Sequence, residues 1–231
     1  MKKPLIVLTG PTAAGKTELS IALAKKLNGA IISADSMQVY KYMNIGSAKI
    51  RPEEMQGVRH YLVDVLDPRE EFHVARFQQM AKEAMDEIYR NGQLPIVVGG
   101  TGFYIQALLK DIDFDESSGE LPCRKELEET ARREGGAVLY ERLKQVDPES
   151  AEAIHPNNVK RVIRALEFYQ ETGQPISLHN KEQKEKQPPY TYAYFVLNDD
   201  RARLYERIDR RVDRMVEQGL VEEVRWLKEH G

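Results

Sequence analysis

Gly10-Pro11-Thr12-Ala13-Ala14-Gly15-Lys16-Thr17 matches the pattern G-x-x-x-x-G-K-[S/T] without exception, and its flanks give the match meaning. Before it, Leu5-Ile6-Val7-Leu8-Thr9 is a short apolar run ending at a glycine, as buried parallel strands do. After it, Leu19, Ala22, Leu23, Lys26 and Leu27 recur at helical spacing until Asn28-Gly29 closes the pattern. These residues share a face. Glycines let successive backbone N–H groups converge on one anion, and the helix start adds partial positive charge. Lys16 supplies a full charge, and the Thr17 hydroxyl can ligate Mg²⁺. The eight residues Gly10, Pro11, Thr12, Ala13, Ala14, Gly15, Lys16 and Thr17 therefore read as a phosphate-binding loop, with Thr17 as the metal ligand.

Strand and helix signals go on alternating. Ala30–Ala34 reads as a second strand ending at Asp35, and Val74–Arg90 as a helix with Phe77, Ala81, Ala84, Met85 and Ile88 inward. Leu94–Val98 is a third strand ending in Gly99-Gly100-Thr101-Gly102, with another helix from about Phe103. This order implies an α/β fold of the P-loop NTPase-like kind, a parallel sheet with flanking helices. The character changes near residue 111, where 111–120 is acidic and turn-rich and reads as a linker or hinge. Helical stretches follow at 122–134, 137–146, 148–154 and 158–172, and then Lys181–Pro189, too polar to pack. Thr191–Leu197 reads as a returning strand, followed by helices at 200–218 and 221–230. The expected domains are an α/β core at 1–110, an all-helical insert at 111–190, and 191–231 completing the core. The last helix reaches the chain end without a cap, which reads as a fragment of a longer protein.

Composition narrows the function. Among 231 residues, 34 are basic and 37 acidic, so no global field draws the chain onto nucleic acid and any such binding must be local. The single cysteine, Cys123, excludes a disulfide framework and a cysteine-based zinc site. No apolar run approaches about 18 residues, and the apolar start is too short for a secretory signal. A cytoplasmic protein that makes no use of a membrane is expected. The third strand ends without the carboxylate that kinases and NTPases use to order Mg²⁺. The strand-terminal acid is Asp35, at the edge where open α/β sheets bind ligands.

More of the chain then becomes specific. Asp35-Ser36-Met37-Gln38-Val39-Tyr40, Met43–Lys49, His60-Tyr61-Leu62-Val63-Asp64 with Pro68, and Gly99–Tyr104 follow the phosphate loop in order. His155-Pro156-Asn157-Asn158 with Arg161, Arg164–Glu167, Arg207-Ile208 with Arg211 and Met215, and Gly219–Val224 complete the set. Together these resemble the tRNA dimethylallyltransferases (tRNA isopentenyltransferases), in a bacterial form, over nearly the whole chain. In that family the chain continues past the last helix into further helices with an Ile-Gly-Tyr motif, and this sequence ends before them.

The resemblance implies a reaction. The exocyclic amine of the adenine just 3′ of the anticodon attacks dimethylallyl diphosphate, and diphosphate leaves. The loop would then hold a leaving group rather than a transferred phosphoryl. It implies Asp35, Thr101 and Arg211 as catalytic residues, with Asp35 the base and Arg211 on the diphosphate. It implies tRNA contacts from Asp35, Ser36, Met37, Gln38, Thr101, Arg124, Lys160, Arg161, Val162, Ile163 and Arg164. Partners would be the tRNA anticodon stem-loop and dimethylallyl diphosphate, with Mg²⁺ as cofactor and a monomeric chain.

The residues themselves leave alternatives open. Asp35 can cap a turn or order Mg²⁺ through water. Ser36 and Gln38 can stabilise their loop instead of holding adenine, and Thr101 can be a plain turn residue. Arg207, Arg211 and Arg214 share another helix face than the expected inward Leu204, Ile208, Val212 and Met215. Such a face, like that of Lys160, Arg161 and Arg164, is often only solvated. A small-molecule or nucleotide kinase is the alternative enzyme, and a nucleotide-gated module the alternative without chemistry.

Overall fold

Side-chain alternation along the strands sorts the chain into layers. The computed structural model describes residues 2–114 and 122–230, which form two compact units, Met1–Asp111 with Pro188–Gly231 and Ile112–Gln187. The first unit is built on β1 (Lys3–Thr9), β2 (Gly29–Ser33), β3 (His60–Tyr61), β4 (Leu94–Gly99) and β5 (Tyr190–Val196). All pair in parallel, in the order β3-β2-β4-β1-β5. Leu5 and Val7, Ala30 and Ile32, and Val97 face one side, covered by α2 (Val74–Arg90) and α3 (Gly102–Lys110) through Phe77, Met85, Ile88, Ile105 and Leu108. Ile6, Ile31, Ile96 and Val98 face the other, against α1 (Lys16–Leu27) and Ile50 and Val58. The central strands β2 and β4 are apolar and buried for most of their length, as a sheet covered on both faces requires, whereas edge strand β5 is exposed from Thr191 to Val196.

The five residues expected inward on α2 are all buried. On α1 the buried residues are mostly not those of the leucine period, of which Leu23 packs partly on the core. Ser20, Ile21 and Ala24 are buried, while Leu19 and Leu27 are exposed. Small residues decide this face, because the helix lies close to the sheet. A Cβ on Gly29 would stand 3.4 Å from the Ala24 Cα and 2.8 Å from the Leu94 carbonyl oxygen.

After β5 come α9 (Arg201–Glu217) and α10 (Leu220–His230). The apolar stripe expected to be buried on α9 is mostly not. Leu204 is buried, Ile208 and Met215 are half-buried, and Val212 is 48% exposed. No helix among the described residues is long and apolar enough to cross a membrane.

The second unit is helical among its described residues: α4 (Pro122–Glu134), α5 (Gly136–Val146), α6 (Pro148–Ala153), α7 (Val159–Thr172) and α8 (Ile176–Glu185). Leu127, Leu139, Leu143, Ala151, Val162, Ile163, Ala165 and Leu166 form its core. Asn158 caps α7 by accepting from the Arg161 N–H, and Gly173 ends it in the left-handed region at φ 71. The buried Asp147 accepts from Ser150 N and Ser177 N, each at 3.0 Å, tying the start of α6 to that of α8. The polar stretch from Lys181, expected not to pack, is helical to Glu185. Its Gln183 is buried, accepting from Asp113 N at 3.0 Å. This amide, the Ser177 N bond to Asp147, Ile176 on the core and the Lys181–Glu149 pair together seat the helix. The expected linker at 111–120 falls largely on 115–121, outside the described residues.

Candidate active site

β1 lies between β4 and β5, and its carboxyl end is where the sheet's connections diverge. Open α/β sheets bind ligands at such switch points. The phosphate loop emerges there. A Cβ on Gly10 would stand 2.3 Å from the Leu197 carbonyl oxygen, so only glycine passes. Ala13 at φ 63 and Gly15 at φ 84 curl the loop in the left-handed region. Gly15 starts α1 with no side-chain cap, leaving the first N–H groups open to an anion. Lys16 Nζ is folded back on the carbonyls of Gly10 (2.9 Å) and Pro11 (2.7 Å). Pro11, Thr12 and Thr17 are exposed, and Ala13 and Ala14 partly so.

Asp35 follows β2. Its Oδ1 accepts from Met37 N (2.8 Å) and Gln38 N (3.2 Å), turning the chain and leaving Oδ2 without a partner among the described residues. Beside it, Gly99 at the end of β4 is forced by close approach, since a Cβ would stand 2.3 Å from the Ala34 carbonyl oxygen. That approach sets Thr101 next to the residue preceding Asp35, with Thr101 N donating to Ala34 O at 3.4 Å. Thr101 is the N-cap residue of α3, yet its hydroxyl makes no capping hydrogen bond. A threonine there normally accepts from the helix. This hydroxyl is left open.

Electrostatics gather Lys16, Asp35 and Arg211. Burial pulls the Lys16 ammonium below its ordinary range, the Arg211 guanidinium adds to that, and Asp35 opposes both. Burial likewise lowers Arg211, with Asp35 raising it and Arg214 lowering it further. Two partly desolvated cations beside one carboxylate attract an anion. Arg207 of the same helix is instead paired with Asp199.

A divalent cation fits sparely. No group of three or more His, Cys, Asp or Glu among the described residues could hold one. The exposed Thr17 hydroxyl at the loop's end suits an ion whose other ligands are substrate phosphate oxygens and water, as Mg²⁺ prefers.

Of the two readings left open for Gln38, the structure shows the contacts of the loop-building one. Its amide nitrogen donates to Ser47 O and Ala48 O, both at 3.3 Å, and Ser33 Oγ donates to its Oε1 at 3.3 Å. The side chain thus builds the loop. Ser36 is half-buried and Met37 46% exposed on that turn. Sequence reasoning assigned no role to Lys49, although its Nζ donates to Tyr40 O (2.5 Å), Asn44 Oδ1 (2.9 Å) and Asp64 Oδ1 (2.7 Å). A lysine in a loop gives no sign by itself that it is a buried brace.

In the helical unit, Lys160, Arg161 and Arg164 are exposed on α7 and form no ion pair among the described residues. Arg124 on α4 is half-buried between Glu128 (3.4 Å) and Glu167 (3.5 Å). Val162 and Ile163, placed by resemblance among the tRNA contacts, are 0% and 4% exposed in the helical core. Their side chains are not available to RNA. They lie between exposed basic residues because a helix turns about 100° per residue, alternating core and solvent.

Residues 38–231 match the family model described as IPP transferase. The chain is 65% identical over 229 residues to the tRNA dimethylallyltransferase of Lachnoclostridium phytofermentans, covering 99% of this chain and 73% of that one. It is 50% identical to the tRNA dimethylallyltransferase of Acetivibrio thermocellus, covering 98% and 72% respectively. Among solved structures, a eukaryotic dimethylallyltransferase acting on tRNA superposes with a TM-score of 0.88 at 36% identity, over 99% of this chain and 56% of that one. The full-length tRNA isopentenylpyrophosphate transferase of Bacillus halodurans superposes with a TM-score of 0.69 at 44% identity, over 100% and 71%. The phosphate loop, the strand-end aspartate and the arginine helix thus stand within a sequence that belongs to the IPP transferase family.

Proposed function

We propose that this chain transfers a dimethylallyl group from dimethylallyl diphosphate to the exocyclic N6 amine of the adenosine 3′ to the anticodon in tRNA, releasing diphosphate. The observation that carries this reading is that the phosphate loop, with Lys16 folded over its carbonyls, and Asp35, with Oδ2 open, follow strand ends in one sheet where β4 ends without a carboxylate. Phosphoryl transfer calls for an acid at that strand end. Departure of an intact diphosphate calls for cations and a base, which are what stand here. The loop N–H groups, Lys16 and Arg211 hold the diphosphate and take up its charge as the C1–O bond breaks and the bonding pair leaves with oxygen. The amine lone pair forms the new bond to C1, and the amine proton passes to Asp35, whose Oδ2 is open. Thr101 offers its uncommitted hydroxyl to the reacting pair. Thr17 would hold Mg²⁺, which would supply further charge neutralisation to the leaving group.

The target base is stacked in its loop and must be extruded, at a cost of a few kcal/mol. Arg124, Lys160, Arg161 and Arg164 of the helical unit are assigned to the anticodon stem-loop, which they would hold through phosphates. Lys16, Asp35 and Arg211 come from one chain, so a monomer suffices, acting in the cytoplasm with its tRNA. The test is incubation with labelled dimethylallyl diphosphate and unmodified tRNA, beside labelled ATP. Label should appear on tRNA only from the prenyl donor. No transfer to tRNA, or phosphoryl transfer from ATP, would overturn the reading.

A further inference from the structure

Glu223 makes an arrangement that the chemistry above does not use. It lies in the first turn of α10, yet its carboxylate reaches the loop that follows Asp35. Oε2 accepts from Asn44 N and Ile45 N, both at 2.8 Å, and Oε1 accepts from Gly46 N at 2.9 Å. Three successive N–H groups turned onto one anion form a nest, and a carboxylate bound there is held by charge-assisted bonds. Gly46 permits the approach, because a Cβ there would come within 3.1 Å of Leu220 Cδ1.

The held segment is continuous with the site on both sides. Ala48 N donates to Ile45 O and Lys49 N to Asn44 O, each at 2.9 Å, closing a turn from Asn44 to Lys49. The carbonyls of Ser47 and Ala48 then fix the Gln38 amide, and Gln38 N bonds to Asp35 Oδ1. In the other direction, Gln218 and Gly219, the latter at φ 97, turn α10 back onto α9, which carries Arg211. Glu223 therefore fastens the loop that sets the carboxylate to the helix pair that sets the guanidinium.

We propose that Glu223 is a positioning residue that keeps the base, Asp35, in register with the diphosphate-side cation, Arg211. This rests on the proposed transfer reaction. A positioning loss should fall on turnover, since misplacement of about 1 Å at a reacting centre costs on the order of 10²-fold.

The test uses Glu223→Ala and Glu223→Gln. In Glu223→Gln the amide oxygen can still accept from Asn44 and Ile45, but its NH₂ faces the Gly46 N–H. In steady-state transfer, Glu223→Ala should lower kcat by roughly 10-fold to 10²-fold, with the KM for dimethylallyl diphosphate within about twofold. Glu223→Gln should fall between it and wild type. A second readout needs no activity. The single tryptophan, Trp226, lies three residues on in α10 with its ring 5.0 Å from that of Tyr42. Release of the clamp should change Trp226 emission and raise its quenching by acrylamide. Unchanged fluorescence in Glu223→Ala would overturn the clamp. Changed fluorescence with wild-type kcat would overturn its positioning role, as would a kcat loss that equals the loss of folded protein. An inactive wild type would overturn the proposed reaction and not the clamp, which the fluorescence decides.

Discussion

In the α/β unit, two cations and a carboxylate meet where burial shifts both cations from their ordinary ranges. In the helical unit, three cations stand in solvent along α7, unpaired among the described residues. The two arrangements use charge in different ways. Partly desolvated groups held by loop geometry act singly, because each faces one place and little solvent screens it. Exposed groups act as a sum, and salt screens them beyond about 8 Å under physiological conditions. Single substitutions should therefore separate roles in the first unit, whereas in the second only grouped substitutions and salt should.

The sharpest break falls on Lys16. Lys16→Ala removes a desolvated partner of the diphosphate and should cost about 2–5 kcal/mol in transfer, while the fold is kept because the side chain bonds only to loop carbonyls. Near-normal turnover at saturating donor would end the assignment. Asp35→Asn comes next. It keeps shape and can still accept from Met37 N and Gln38 N, but it cannot take a proton. Transfer should fall by about 10²-fold or more, with tRNA and donor affinity little changed, since the lost interaction belongs to the transition state. If added Mg²⁺ restores activity, Asp35 orders metal and is not the base.

In the helical unit the effect should be smaller and of another kind. Reversing Arg161 and Arg164 together should weaken tRNA binding and make log K less steep against log salt, by about one for each phosphate no longer neutralised. Donor binding should not change. An unaltered affinity and slope would reduce α7 to a solvated face. Val162→Ala, between them, should loosen the helical core with no change in salt slope, because its side chain is fully buried.

This contrast also governs how much could be read from the chain alone. The phosphate loop and the strand-end position of Asp35 were legible because their backbone context is local, a glycine spacing and a strand end, whereas the roles given to Asp35, Thr101 and Arg211 came from the family resemblance. The parallel sheet followed from the alternation of strands and helices. What escaped depends on neighbours distant in sequence. The leucines of α1 suggested a face, but the tightness of the Ala24–Gly29 approach chose another. Gln38 looked free to read a base until Ser47 and Ala48 claimed its amide. Val162 and Ile163 sat inside a basic run that marked the segment but not which side faced out.

The smallest expected effect carries the comparison to two groups that take no part in the site, the half-buried His60 and the buried Glu167. Burial lowers the pKa of His60 in the α/β unit below its ordinary 6.5, against a weaker opposing bond to Val58 O at 2.9 Å. Its unfolded form binds protons more readily, so the unit's stability is complete above pH 6.5 and falls as pH drops through the folded pKa. Burial raises Glu167 in the helical unit above its ordinary 4.5, with Arg124 opposing. There the folded form binds the proton more readily, so stability rises as pH falls through the folded pKa toward 4.5. Mild acid should therefore push the two units in opposite directions. Hydrogen exchange resolved by unit, at pH 7.5 and at pH 5, should show protection falling in the α/β unit relative to the helical one. His60→Asn, which can keep a donor toward Val58 O, should remove the acid loss in the first. Glu167→Gln should remove the gain in the second. Parallel changes in both units, unaltered by either substitution, would place the pH response elsewhere.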